Sequence, residues 1–183
     1  MPFIRISPLC LPALFILCAY FDKESAICTL ISLAFHECGH VLFIKLYKER
    51  ITKIDISPFG ITLVRNRQEL SLLREISVFL AGPLFSILLF IASLAAGRRA
   101  LAFFSLFYGV INLLPLRIFD GGRALECLLN AKVPLRSGGI MNALDISLLL
   151  VIWLISVYIM LTGMVFVPAF FIVLYLFLKL TGV

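Results

Sequence analysis

Apolar residues fall along this chain in long blocks separated by short polar stretches, not in the short periodic runs of a soluble domain. Blocks of roughly 15–25 residues are what a helix needs to cross about 30 Å of hydrocarbon. They cover residues 4–20, 26–47, 70–96, 100–119, 146–162 and 164–180. The pattern predicts an all-α polytopic membrane protein, one domain over 1–183, with about six transmembrane helices. The first block resembles a signal peptide, with Arg5 ahead of an apolar core. No small-x-small cleavage site follows, so it is expected to remain as an uncleaved helix. Only "TG" separates the last two blocks, and Pro168 can move that boundary, which makes five spans the alternative.

Two stretches break the pattern. Between the second and third blocks, "ITKIDISPFGITLVRN" (51–66) holds two β-branched runs around a Pro/Gly turn signal. It predicts a small β-hairpin-like segment at the membrane surface. After the fourth block, "DGGRALECLLNAK" places Leu125, Leu128 and Leu129 on one helical face, away from Arg123, Glu126 and Asn130. That is the pattern of a short helix lying on a membrane surface.

Composition supports the membrane reading. The chain has 183 residues, 62% of them hydrophobic, and a mean hydropathy of +1.12; too little polar sequence remains to cover a soluble core. The five cysteines are odd in number and lack CxxC spacing, which argues against a disulfide framework or a zinc finger. The net charge of +6 reports topology, since no basic soluble module exists to bind nucleic acid. With the N-terminus in the cytoplasm, six spans put thirteen of the sixteen Lys and Arg residues inside; only Lys23, Arg98 and Arg99 fall outside. Both termini are therefore expected in the cytoplasm.

The chemistry sits in the second block. "LAFHECGHVLF" (33–43) places His36, Glu37 and His40 in hydrocarbon, as an H-E-x-x-H sequence. On a helix, histidines four residues apart project from one face and can share a metal ion, with the glutamate within reach of water beside it. Zinc suits neutral imidazole and carboxylate ligands, and it acidifies water for a general base such as Glu37. Ionisable side chains at membrane depth are costly and mark function by default. Cys38 points to another side. If the span ends near Tyr47, His40 and His36 lie about 10 and 16 Å below that end, so water must reach them through a cavity.

A catalytic zinc takes a third protein ligand. Most carboxylates outside the motif, Asp145 among them, are expected in loops or at helix ends, where a solvated charge is ordinary. Asp120 stands out in "NLLPLRIFDGG": Pro115 kinks the preceding span, and two glycines permit close backbone approach.

Together these residues resemble the site-2 protease family of intramembrane zinc metalloproteases. The resemblance rests on HExxH in the second block and N-x-x-P-x-x-x-x-D-G some seventy residues later. It is closest to the compact six-helix branch that includes a sporulation protease acting on a precursor sigma factor. "ISPFGI" and "AGPLFS" (81–86) are similar to further segments of that branch, so the likeness covers residues 26–130. It implies Zn2+ held by His36, His40 and Asp120, Glu37 as general base, and Asn112 as a polar catalytic group near the site. It also implies a membrane-anchored or membrane-associated protein substrate, such as a precursor transcription factor. Ser86 stands where the family often has Asn, so the resemblance assigns it no polar role. Phe119 stands where Leu is usual. Relatives often carry a C-terminal CBS module, and none is expected within 1–183.

The expected activity is hydrolysis of a peptide bond within the bilayer, with the substrate first unwound to an extended form. The 51–66 segment offers an edge to which such a substrate could add as a strand. A metal-ion or proton transporter using the same His, Glu and Asp residues is the alternative from another class.

Overall fold

The computed structural model describes residues 3–8, 22–49, 51–57, 60–65 and 71–162. Helix α1 spans Lys23–Leu46. Asp22 caps it by accepting the Ser25 N–H at 3.1 Å. Hydrogen bonds from Ser25, side chain first and backbone second, hold this exposed carboxyl below its ordinary pKa. Lys48, at φ 58°, turns the chain away at the other end.

The side chains of α1 are distributed inside out compared with a water-soluble helix. Ser32, His36, Glu37, His40 and Ile44 are buried, while Ile27, Leu30, Ile31 and Leu42 are exposed. Helix α2, Leu72–Ala95, buries Val78, Ala81, Gly82, Pro83, Ser86 and Ser93 and exposes Leu73, Leu84, Leu88, Ile91 and Leu94. Helix α3, Arg99–Asn112, buries Ala102, Ser105 and Gly109. Small residues line the buried stripes because helices in lipid gain by close backbone approach, and lipid covers the large apolar side chains. The three helices pack on one another. A buried Ser32–Ser105 hydroxyl pair, 3.0 Å apart, joins α1 to α3.

After α3 the chain runs irregularly through 113–119 and enters α4, Asp120–Lys132, followed at once by α5, Pro134–Leu161. The segment folds tightly over the start of α4. A Cβ on Gly122 would collide with the Leu116 carbonyl, and one on Gly121 with Leu113 backbone. Leu116 and Leu149, both 1% exposed, fasten the segment to α5.

Three strands form a sheet in the order β1-β2-β3. Strand β1 (Phe3–Ile6) runs parallel to β2 (Ile51–Ser57). Strand β3 (Gly60–Arg65) runs antiparallel to β2, with Ser57 opposite Gly60. Residues 58–59, which join them, lie outside the described residues.

The architecture differs from the expected six spans in several places. Among the described residues, three helices are long and apolar enough to cross a membrane: Lys23–Leu46, Leu72–Ala95 and Pro134–Ile159. Helix α3 is shorter. It stops at Asn112 instead of 119 because Pro115 removes a backbone donor and disfavours helix in the residue before it. Residues 3–6 are strand, not the start of a helix: Ile4 and Ile6 are β-branched, and a helix begun there would meet Pro8 in its interior. The helix expected to start at 146 begins at Pro134, which is pre-shaped for a first helical turn. Most of the expected span 4–20, and all of 164–180, lie outside the described residues.

Candidate metal centre

One face of α1 carries His36 and His40 into the space between α2 and α4. The Nε2 atoms of His36 and His40 stand 3.0 and 3.1 Å from the same atom, Asp120 Oδ2. They are 3.2 Å from each other. All three residues are buried. Eighty residues of chain separate Asp120 from His40; α4 brings it back by placing it as its own first residue.

The outer nitrogens show what the inner ones are for. His40 Nδ1 is 2.8 Å from the Val78 carbonyl, an oxygen that only accepts, so this nitrogen donates. A neutral His40 then offers a lone pair at Nε2. His36 Nδ1 lies 2.9 Å from the Ser86 hydroxyl, which can accept from it; in that tautomer His36 Nε2 is a second lone pair. Asp120 Oδ2 is a third electron-pair donor. Three such donor atoms converging in a buried space form a group that a cation would stabilise. Ligands about 2.0–2.2 Å from a tetrahedral zinc lie about 3.3 Å apart, close to the spacing here. The donor set therefore fits zinc.

Gly82 makes room for this centre. A Cβ there would sit 2.6 Å from His36 Nε2 and closer still to His40 Nε2. The edge of the Tyr108 ring meets His36 from α3, with ring centres 6.0 Å apart. Glu37, 9% exposed, follows His36 on α1, and adds a second carboxylate to the buried group. Asn112 donates its Nδ2 to the Tyr108 carbonyl on its own helix at 3.0 Å, a bond that does not join it to the cluster.

The structure thus brings His36, His40 and Asp120 together, with Glu37 beside them. Ser86, to which the resemblance gave no polar role, supports a histidine directly. Its signal in the sequence is the four-residue step Val78, Gly82, Ser86, which stacks the carbonyl, the gap and the hydroxyl along one stripe of α2. Asp145 also differs from expectation: it is 2% exposed and lies well inside α5, not in solvent.

A membrane-helix bundle with a buried His-His-Asp group able to hold a metal ion is the class of protein that this fold and site define. Residues 9–120 match the Peptidase M50B-like family, and the chain belongs to it. It is similar to stage IV sporulation protein FB of Bacillus subtilis (strain 168), at 29% identity over 147 residues covering 73% of this chain and 51% of the relative. The chain thus spans about half the length of that curated relative. Its fold is also similar to that of the site-2 protease from Methanocaldococcus jannaschii. The TM-score is 0.74 at 23% identity, covering 98% of this chain and 89% of that one.

Proposed function

We propose that the chain is an intramembrane zinc endopeptidase that hydrolyses peptide bonds of membrane-embedded or membrane-associated proteins. The observation that carries the reading is the convergence of His36 Nε2, His40 Nε2 and Asp120 Oδ2 within 3.2 Å, with Glu37 next along the same helix. These three residues would hold the ion, which when bound supplies Lewis acidity to a peptide carbonyl and acidifies water. Glu37 takes a proton from the attacking water on its carboxylate and passes it to the leaving amine. The Val78 carbonyl keeps His40 in the tautomer that exposes Nε2, and Ser86 can accept from His36 Nδ1 to support the same tautomer there. Asn112 can turn its amide toward a substrate by giving up its bond to Tyr108, so its contribution is secondary.

A peptide bond inside a helix is shielded, so the substrate must be extended. The sheet supplies a template: among the described residues β1 covers one side of β2 and β3 is an edge strand, to which an extended chain can add. Proline at a hydrogen-bonding position of β3 should suppress cleavage; undiminished cleavage would remove β3 from the mechanism. The family resemblance favours a precursor transcription factor as substrate, cut from the cytoplasmic side, where most Lys and Arg residues would lie.

Glu37→Gln tests the whole reading. It should retain zinc at wild-type affinity and lose cleavage of a co-expressed membrane-anchored precursor. Cleavage that persists at matched expression would exclude Glu37 as the base. Metal flux without any cleavage by the wild type would point to a transporter instead.

A further inference from the structure

Asp145 is a carboxylate buried well inside an apolar helix, and the peptidase chemistry does not use it. Its Oδ1 accepts the backbone N–H of Arg117 at 3.1 Å, and its Oδ2 faces the Arg117 guanidinium, 3.5 Å from Nη1. The same guanidinium donates to Asn142 Oδ1 at 2.5 Å and to the Gly138 carbonyl at 3.1 Å. Its Nε stands 3.2 Å from Glu126 Oε1 on α4. Arg117 therefore clasps three successive turns of α5 and one turn of α4, three residues before Asp120.

From this geometry we infer that Arg117 and Asp145 are positioning residues that set where Asp120 meets the two histidines. The inference rests on the reading of Asp120 as a metal ligand. Three observations support it. Helix α5 packs chiefly on α4, while the histidines ride on the α1–α2–α3 bundle. The clasp thus orients the segment that delivers Asp120 and contributes little to holding the bundle together.

Second, the segment is closed on itself: the Phe119 N–H donates to the Leu116 carbonyl at 2.8 Å, and Gly122 packs against that same carbonyl. A displacement at Arg117 is carried to Asp120 without slack. Third, Leu116 and Leu149 already fasten the segment to α5 by apolar contact. An ion pair between the buried Asp145 and the half-buried Arg117 adds little stability over an apolar pair of similar volume. What it adds is direction, because a carboxylate on a named backbone N–H fixes the register of the segment along α5.

The test is zinc affinity, read by competition with a chromogenic chelator on protein in detergent or nanodiscs, beside helix content by circular dichroism. The double variant Arg117→Met/Asp145→Leu replaces the pair by apolar groups and avoids leaving one charge alone. It should keep its helix content and bind zinc roughly ten-fold or more weakly, the scale of lost outer support at metal sites. Arg117→Lys keeps the charge but not the fork, and should fall between it and wild type. Ser32→Ala, which alters the α1–α3 contact, should leave zinc affinity unchanged. Wild-type affinity in either folded Arg117 variant would overturn the inference. A wild type that binds no zinc would instead overturn the metal reading itself.

Discussion

The substitution Gly82→Ala sets two physical effects against each other. Alanine is the better helix former, so in open space the change would add about 0.5–1 kcal/mol of helix stability. At position 82 the new Cβ would stand 2.6 Å from His36 Nε2 and 2.7 Å from His40 Cε1. Ordinary contact lies near 3.5 Å, so the rings must withdraw by roughly 1 Å. Each ring can do so only by stretching its outer bond, now 2.9 Å to Ser86 and 2.8 Å to the Val78 carbonyl. Losing one such buried bond costs about 1–3 kcal/mol, which offsets the propensity gain and leaves a folded protein. Zinc is less forgiving, because ligand distances must hold within about 0.2 Å. Gly82→Ala should therefore keep its helix content and lose zinc affinity by about 100-fold or more. Metal content by mass spectrometry and chelator competition would measure it. Gly138→Ala, where the added Cβ meets nothing within 4 Å, is the matched control. Stoichiometric zinc at wild-type affinity in Gly82→Ala would refute the placement of both rings.

Other predictions address the same centre more gently. Ser86→Ala removes the partner of His36 Nδ1 and should weaken zinc binding about 10–100-fold, with helix content unchanged in circular dichroism. Because zinc needs deprotonated ligands, binding should release protons and weaken as pH falls; a pH series of chelator competitions would show it. A pH-independent affinity would argue against histidine ligands. Ser32→Ala should lower the thermal midpoint only slightly, by about 1 kcal/mol of stability, since Ser105 keeps its 2.7 Å bond to the Leu101 carbonyl.

Much of the centre was legible in the sequence because the bilayer makes polar residues conspicuous. His36, Glu37 and His40 interrupt an apolar block at metal-ligand spacing, and Asp120 follows a proline and precedes two glycines. The supports were less legible. Val78 contributes a carbonyl, which no residue type announces, and Ser86 is one hydroxyl among many. Asp145 looked like a solvated charge at a block edge, since apolar content cannot show that it meets Arg117. The same blindness placed the start of α5 too late: "PLRSGGIMNALD" reads as a polar loop until Arg117 is seen bonded to Gly138 and Asn142. Strand β1 was hidden because Phe3–Ile6 is only four residues long, too short to set a strand period against a helical one.

The two histidines differ in how they can be reached by genetics. His36 leans on a side chain, and a codon change deletes it. His40 leans on the main chain at Val78, and all nineteen substitutions at that position leave the oxygen in place. A saturation screen would score the lost hydroxyl at position 86, whereas at 78 it would read the packing of a buried side chain and never the carbonyl. Exposing the second support requires altering the backbone: an ester in place of the amide that follows Val78 would leave His40 a poorer acceptor carbonyl, with loss of the Phe79 N–H as well.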